Sequence, residues 1–175
     1  AIGRTFQESL QKALRGLEIG IDGLTPILAA DSPDWKSILR KELSVPTPER
    51  IRYLGDAMRR GFETDEIHRL TGIDPWFLVQ IQDLISEEKI VSETSLQKLD
   101  REQIFKLKRK GFSDSRLAVL LGCLESEVRA YRLALDVKPV FRRVDSCAAE
   151  FRSSTAYMYS TYEDECEAAP TDRKK

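Results

Sequence analysis

A shift of 50 residues lays one stretch of this chain on another. Arg59-Arg60-Gly61-Phe62 falls on Arg109-Lys110-Gly111-Phe112, Ile67 on Leu117, Leu70 on Leu120, and Gly72 on Gly122. Upstream, Leu54 meets Ile104; downstream, Leu78 meets Val128, Ile81 meets Tyr131 and Ile85 meets Leu135. Matching glycines with matching apolar spacing on both sides indicate a duplicated supersecondary unit. A helix end needs a residue in the left-handed region, which Gly enters without a Cβ penalty. The Phe after each first Gly is then placed to close the turn. Start signals agree with this reading: Thr47-Pro48-Glu49, Thr64-Asp65-Glu66 and Asp74-Pro75-Trp76 open three helices, and Asp100, Ser113 and Glu125 open three more. A three-helix unit containing a helix-turn-helix therefore occurs twice, over about 47–88 and 97–136. The repeat is imperfect, because Asp74-Pro75 has Leu124-Glu125 as its counterpart.

Residues 4–19 predict an amphipathic helix. Phe6, Leu10, Ala13, Leu14 and Leu17 form its apolar stripe, Thr5 caps it, Gln7, Glu8 and Lys12 lie on the wet side, and Gly20 and Gly23 end it. Pro26, Pro33, Pro46 and Pro48 punctuate the next stretch, with a short helix expected from Asp34 to Leu43. After Lys138-Pro139 helical stripes fade, and Tyr157 and Tyr159 alternate around Met158 as in an extended segment. The expected fold is all-α: two helix-turn-helix-containing three-helix repeats, an N-terminal amphipathic helix and an extended C-terminal segment.

Composition narrows the function classes. Lys and Arg (28) nearly cancel Asp and Glu (29), for a net charge of −1, so no overall field draws in nucleic acid or an anionic membrane. Apolar runs fall far short of the roughly 18 residues that span a bilayer. Cys123, Cys147 and Cys166 are scattered, which suits a reducing, cytosolic compartment, and with His68 as the sole histidine a zinc site has little to draw on. The chain starts without Met and without a charged-then-apolar leader, so the reading is a fragment of a larger cytosolic protein.

Each candidate chemistry is weak on its own residues. A helix-turn-helix invites a DNA-binding alternative. The second helix of the first copy, however, carries Asp74, Asp83, Glu87 and Glu88 with no Lys or Arg before residue 89, and acids repel phosphates. The second copy offers Arg129 and Arg132, with Lys106, Lys108, Arg109, Lys110 and Arg116 nearby. His68 lacks a visible catalytic partner, and Cys147 lacks a His within reach in sequence. Glu87-Glu88 and Glu163-Asp164-Glu165 read as solvated acids, and phosphate-cradling and Ca²⁺-loop motifs are absent. No catalytic, cofactor-binding or metal residue is assigned. Trp76, Phe77, Tyr157, Met158, Tyr159 and Tyr162 are the interface candidates, with Trp35 as a further aromatic in the proline-punctuated link.

Several runs resemble the large subunit of carbamoyl-phosphate synthases: the N-terminal run from Ala1 to Arg15, Trp76-Phe77-Leu78-Val79-Gln80-Ile81, Leu107-Lys108-Arg109-Lys110-Gly111-Phe112, Arg143-Val144-Asp145-Ser146-Cys147-Ala148-Ala149-Glu150-Phe151, and Thr155-Ala156-Tyr157-Met158-Tyr159-Ser160-Thr161-Tyr162-Glu163. The resemblance is collinear over nearly the whole chain. It implies residues 1–20 as the terminal helix of a first synthetase unit, 21–150 as a helical oligomerisation domain, and 151–175 as the linker into a second synthetase unit. It further implies an ATP-dependent ligase that uses Mg or Mn and makes carbamoyl phosphate from bicarbonate and glutamine-derived ammonia, for arginine and pyrimidine synthesis in the cytoplasm. The implied partners are the two synthetase halves, other large subunits and a small glutaminase subunit.

Overall fold

In the computed structural model of this chain the described residues are 1–147, 150–151 and 157–169. Their elements are α1 (Phe6–Arg15), α2 (Trp35–Ser44), α3 (Arg50–Arg59), α4 (Thr64–Thr71), α5 (Pro75–Ser92), a 3₁₀ turn (Leu96–Lys98), α6 (Arg101–Arg109), α7 (Asp114–Leu121), α8 (Glu125–Ala134), β1 (Val140–Arg143) and β2 (Met158–Thr161). The chain is mostly helical, as its periodicity indicates.

Local chemistry sets the helix starts. Asp74 accepts from Trp76 N, with Pro75 in the first turn of α5. Asp100 and Gln103 form a reciprocal capping box on α6, and Ser113 caps α7. On α8, Glu127 accepts from Leu124 N at 2.8 Å, doing from inside the helix what Asp74 does from outside α5. Thr47 departs from expectation. Its hydroxyl has no hydrogen-bond partner, and α3 starts at Arg50 after a turn in which Thr47 O accepts from Arg50 N.

The two three-helix stretches run alike. Leu54 and Ile104, Ile67 and Leu117, and Leu78 and Val128 are pairwise buried, and Phe62 and Phe112 are both in the core. Leu24 and, from α2, Leu39 and Leu43 complete that core beside the first stretch. α5 packs on α3, α4, α7 and α1, and so lies at the centre of the molecule.

The repeated glycines differ in one respect. Gly61 and Gly111 both sit at positive φ, +81° and +90°. A Cβ on Gly61 would meet nothing, whereas one on Gly111 would lie 2.8 Å from Glu8 Cα and 3.2 Å from Gln11 Cβ. Gly111 therefore ends α6 and also seats α1. Gly61→Ala is expected to cost about 1 kcal/mol from left-handed strain alone. Gly111→Ala is expected to cost about 2 kcal/mol, because α1 must also shift. Urea unfolding of the two variants checks the difference.

Two expectations for α1 are corrected, and the extended tail gains a partner. α1 ends at Arg15, where Gly16 caps it, and Glu18 turns the chain at φ 56°. Its polar face is not wet: Gln7, Glu8 and Gln11 are buried, while Ala13 and Leu17, from the apolar stripe, are exposed. The reason is that the polar side chains find partners inside, described below. The extended tail is half of an antiparallel hairpin, with Val140 opposite Thr161 and Arg143 opposite Met158. Of the 151–175 segment, residues 152–156 and 170–175 lie outside the described residues, as do Ala148 and Ala149.

Candidate interaction surface

The basic side chains of the second helix-turn-helix are engaged by acids. Lys110 Nζ reaches Asp83 at 2.6 Å and Glu87 at 2.7 Å, and Lys106 reaches Glu87 at 2.5 Å. Burial pushes the Glu87 carboxyl up, but hydrogen bonds from Lys106 and Lys110 outweigh it and hold it below the usual range. Glu88 accepts from Arg59 at 2.6 Å and Arg116 at 2.8 Å. Asp114 collects Lys108 at 2.8 Å, Arg132 at 2.8 Å and Arg129 at 3.8 Å. Burial drives the Lys108 ammonium down to about 8 even beside Asp114. Burial raises the Asp114 carboxyl, but Lys108 and Arg132 outweigh it and leave it low. Arg109 lies 5.9 Å from the Phe105 ring. The patch that suggested DNA is thus largely taken up in an ion-pair frame that joins α5 to α6 and α7, and α8 to Asp114 of α7, and the nucleic-acid alternative is not supported.

The remaining reactive side chains sit in ordinary surroundings. His68 is exposed, with Nδ1 2.7 Å from Ile73 O. Cys147 N–H donates to Asp145 Oδ1 at 3.0 Å, and all three cysteines are free. Glu163 pairs with Arg4 and Glu165 with Arg142. Among the described residues no group of three or more His, Cys, Asp or Glu side chains is placed to hold a metal, and no helix is long and apolar enough to cross a membrane.

The structure divides the aromatic candidates. Trp76 and Phe77 project from the start of α5, because the inward positions of that helix are taken by Leu78, Ile81, Leu84 and Ile85. They meet Phe6 of α1 in a three-ring cluster: Phe6–Phe77 at 5.2 Å, Phe6–Trp76 at 5.6 Å and Trp76–Phe77 at 5.0 Å. Trp76 remains 55% exposed and Phe77 41%. Edge-on ring contacts of this kind hold the cluster in shape. Sequence reasoning placed Phe6 on a buried stripe and so missed it as a member. Tyr157 and Met158 are exposed at the start of β2. Tyr159 and Tyr162 fold back, with Lys12 Nζ 5.8 Å from the first ring and Lys108 Nζ 5.2 Å from the second. Trp35 also folds back, edge-on to Phe62 at 6.2 Å with the Arg60 guanidinium 5.0 Å from its ring.

One node lay beyond sequence reasoning. Glu8, 1% exposed, accepts from Arg4 N at 2.7 Å and Thr161 Oγ1 at 3.1 Å, and pairs with Lys12 at 2.8 Å. Lys12 also donates to Ser160 O at 2.5 Å, and Arg4 pairs with Glu163 at 2.9 Å. On the same face Gln11 donates to Lys110 O, Arg15 to Gly111 O and Gln7 to Asp83. α1 is thereby a polar bracket that ties β2 to the second repeat. The spacing of Glu8 and Lys12 signals an ion pair but not its burial.

Comparison with known proteins places this arrangement. Residues 1–136 match the family described as carbamoyl-phosphate synthetase large chain, oligomerisation domain. Over all 175 residues the chain is 59% identical to the carbamoyl phosphate synthase large chain of Pseudomonas putida. It is 57% identical to that of Neisseria meningitidis serogroup B and 56% identical to that of Haemophilus ducreyi. It spans 16% of the length of each of these relatives. A helical fold with exposed aromatics, matched along its whole length by these relatives, belongs to the oligomerisation-domain family of carbamoyl-phosphate synthase large chains.

Proposed function

We propose that this chain is the spacer and assembly surface of a carbamoyl-phosphate synthase large subunit. It fixes two synthetase halves relative to each other and presents a face for self-association. The observation that carries the reading is the exposed Phe6–Trp76–Phe77 cluster on a frame made rigid by buried ion pairs. Aromatic anchors on a pre-formed surface lose little freedom on docking, which is where interfaces concentrate their energy. The polar bracket of α1 supports the spacer part, since it ties residues 4–12 to residues 160–163. In this reading residues 1–20 close a first synthetase unit, 21–150 form the domain and 151–175 lead into a second unit.

The catalytic work belongs to the whole subunit: an ATP-dependent ligase with Mg or Mn, supplied with ammonia by a small glutaminase subunit and acting in the cytoplasm for arginine and pyrimidine synthesis. No step of that reaction is assigned to a residue of this chain. Tyr157 and Met158 are a second contact area, exposed on β2.

Light scattering over a wide concentration range tests the assembly role. The mass is expected to rise with concentration, and Trp76→Ser with Phe77→Ser is expected to weaken association at least about tenfold, as loss of central aromatic anchors does. A strict monomer at the highest concentration sinks self-association by this chain. Association that the double variant leaves unchanged moves it to another face.

A further inference from the structure

An open cleft of about 720 Å³ lies between α3, α5 and α7. That volume is within the range of small-molecule sites. Its apolar lining is Pro26, Met58, Ile85, Val119 and Leu120. Its charged lining is Arg59, Lys89 and Arg116, with Glu88 as the one carboxylate. Glu88 is already engaged by two of those cations. Arg59 is fully used, since its terminal nitrogens reach Asp56, Glu88 and Leu24 O. Arg116 is different. It is 4% exposed, yet among the described residues only Nε of its guanidinium has an acceptor, Glu88. Its Nη groups have no acceptor among the described residues and lie at the wall of the cleft, where they are not shut away from solvent. A guanidinium held through Nε by Glu88, with its Nη groups open to the cleft, is pre-set to donate to a ligand.

We infer that this cleft binds a small organic anion, with an apolar body on Met58, Ile85, Val119 and Leu120 and a terminal carboxylate on Arg116. With Arg59 paired to Asp56 and Glu88, the free side of Arg116 and the rim ammonium of Lys89 set the sign of the charge. The planar fork of arginine suits a carboxylate, accepted on two parallel N–H groups. The one carboxylate of the wall, Glu88, is already engaged, which leaves no acceptor of that kind for a cationic ligand. The site is distinct from the Phe6–Trp76–Phe77 cluster, none of whose residues lines it.

The probes are 3-phenylpropionate and its neutral analogue 3-phenylpropanamide, titrated into the ¹⁵N-labelled chain and followed by amide shifts. The acid is expected to bind saturably, at least tenfold tighter than the amide, with shifts on α3, α5 and α7. Arg116→Gln is expected to erase that preference. Because Arg116 also holds Glu88, two rim variants on exposed positions guard against misfolding. Lys89→Glu should weaken the acid at least threefold and leave the amide unchanged, and Val119→Trp should block both. Equal binding of acid and amide, shifts centred on Phe6, Trp76 and Phe77, or no saturable binding at millimolar concentration each overturn the assignment.

Discussion

Glu8→Ala is expected to destabilise the chain by about 4 kcal/mol, since two donors lose their acceptor inside the protein at roughly 1–3 kcal/mol each. The carboxylate is the shared acceptor of Arg4 N, Thr161 Oγ1 and Lys12 Nζ. Its removal leaves the backbone donor and the hydroxyl without acceptors, while Lys12 keeps Ser160 O and Ile2 O. Thr161 is itself buried, so water does not replace the carboxylate freely. The loss should also be regional. Hydrogen exchange is expected to rise together in α1 and β2 and to stay slow at Leu54 and Ile67, buried on α3 and α4. Glu8→Gln retains acceptor oxygen but no charge and is expected to cost less than half as much. Uniform loss of protection across the chain would show that α1 is part of the main core instead of a bracket on it.

The second large effect concerns Asp114. Asp114→Ala leaves Lys108, 6% exposed, as an uncompensated buried ammonium beside Arg132, again at about 4 kcal/mol near neutral pH. The same pair sets a pH dependence in the native chain. Burial holds the folded Lys108 at about 8, against its ordinary 10.5. Between those values the unfolded lysine keeps a proton that the folded one has released. Unfolding therefore takes up a proton, and stability rises with pH across the window, with a ceiling of about 3 kcal/mol. Tyr162 opposes this higher up: burial raises its phenol, so above about pH 10 the unfolded ring ionises first and stability falls. Urea unfolding at pH 7.5, 8.5 and 9.5 should show the rise, and Lys108→Met should flatten it. A slope that survives Lys108→Met would assign the proton to another group.

The parts of this fold that were legible in the sequence are those fixed by neighbours. Gly61 and Gly111, Gly72 and Gly122, and the caps at Asp74, Asp100 and Ser113 act within a few residues, so their spacing carries their geometry. The repeat added the inward faces, since Leu78 and Val128 share a register with the turns before them. What stayed hidden was set at a distance. Glu8, Gln7 and Gln11 belong inside only because Thr161, Asp83 and Lys110 O receive them, at separations of 153, 76 and 99 residues. The cations of the second repeat looked like a phosphate-binding patch because their acids include Asp83, Glu87 and Glu88 of an earlier helix. β1 is four residues long, too short for its alternation to announce a partner for β2. The aromatic surface was half legible. Trp76 and Phe77 were surplus to a stripe already filled, but Phe6 joins them only once α1 is rotated to bury its polar side.

The bracket at Glu8 also bears on how the chain folds. Its contacts span 153 and 159 residues in sequence, whereas the helix-turn-helix units run only from Thr64 to Ser92 and from Asp114 to Ala134. Loop-closure entropy makes the distant contacts unrewarding until the rest is compact. The repeats are therefore expected to assemble first and the bracket to lock late, so Glu8→Ala should speed unfolding in stopped-flow traces and leave the folding rate nearly unchanged. Interactions formed after that barrier slow unfolding without hastening folding. On that expectation the bracket is a kinetic latch: it would set how long the native state lasts, and the repeats how fast it is reached.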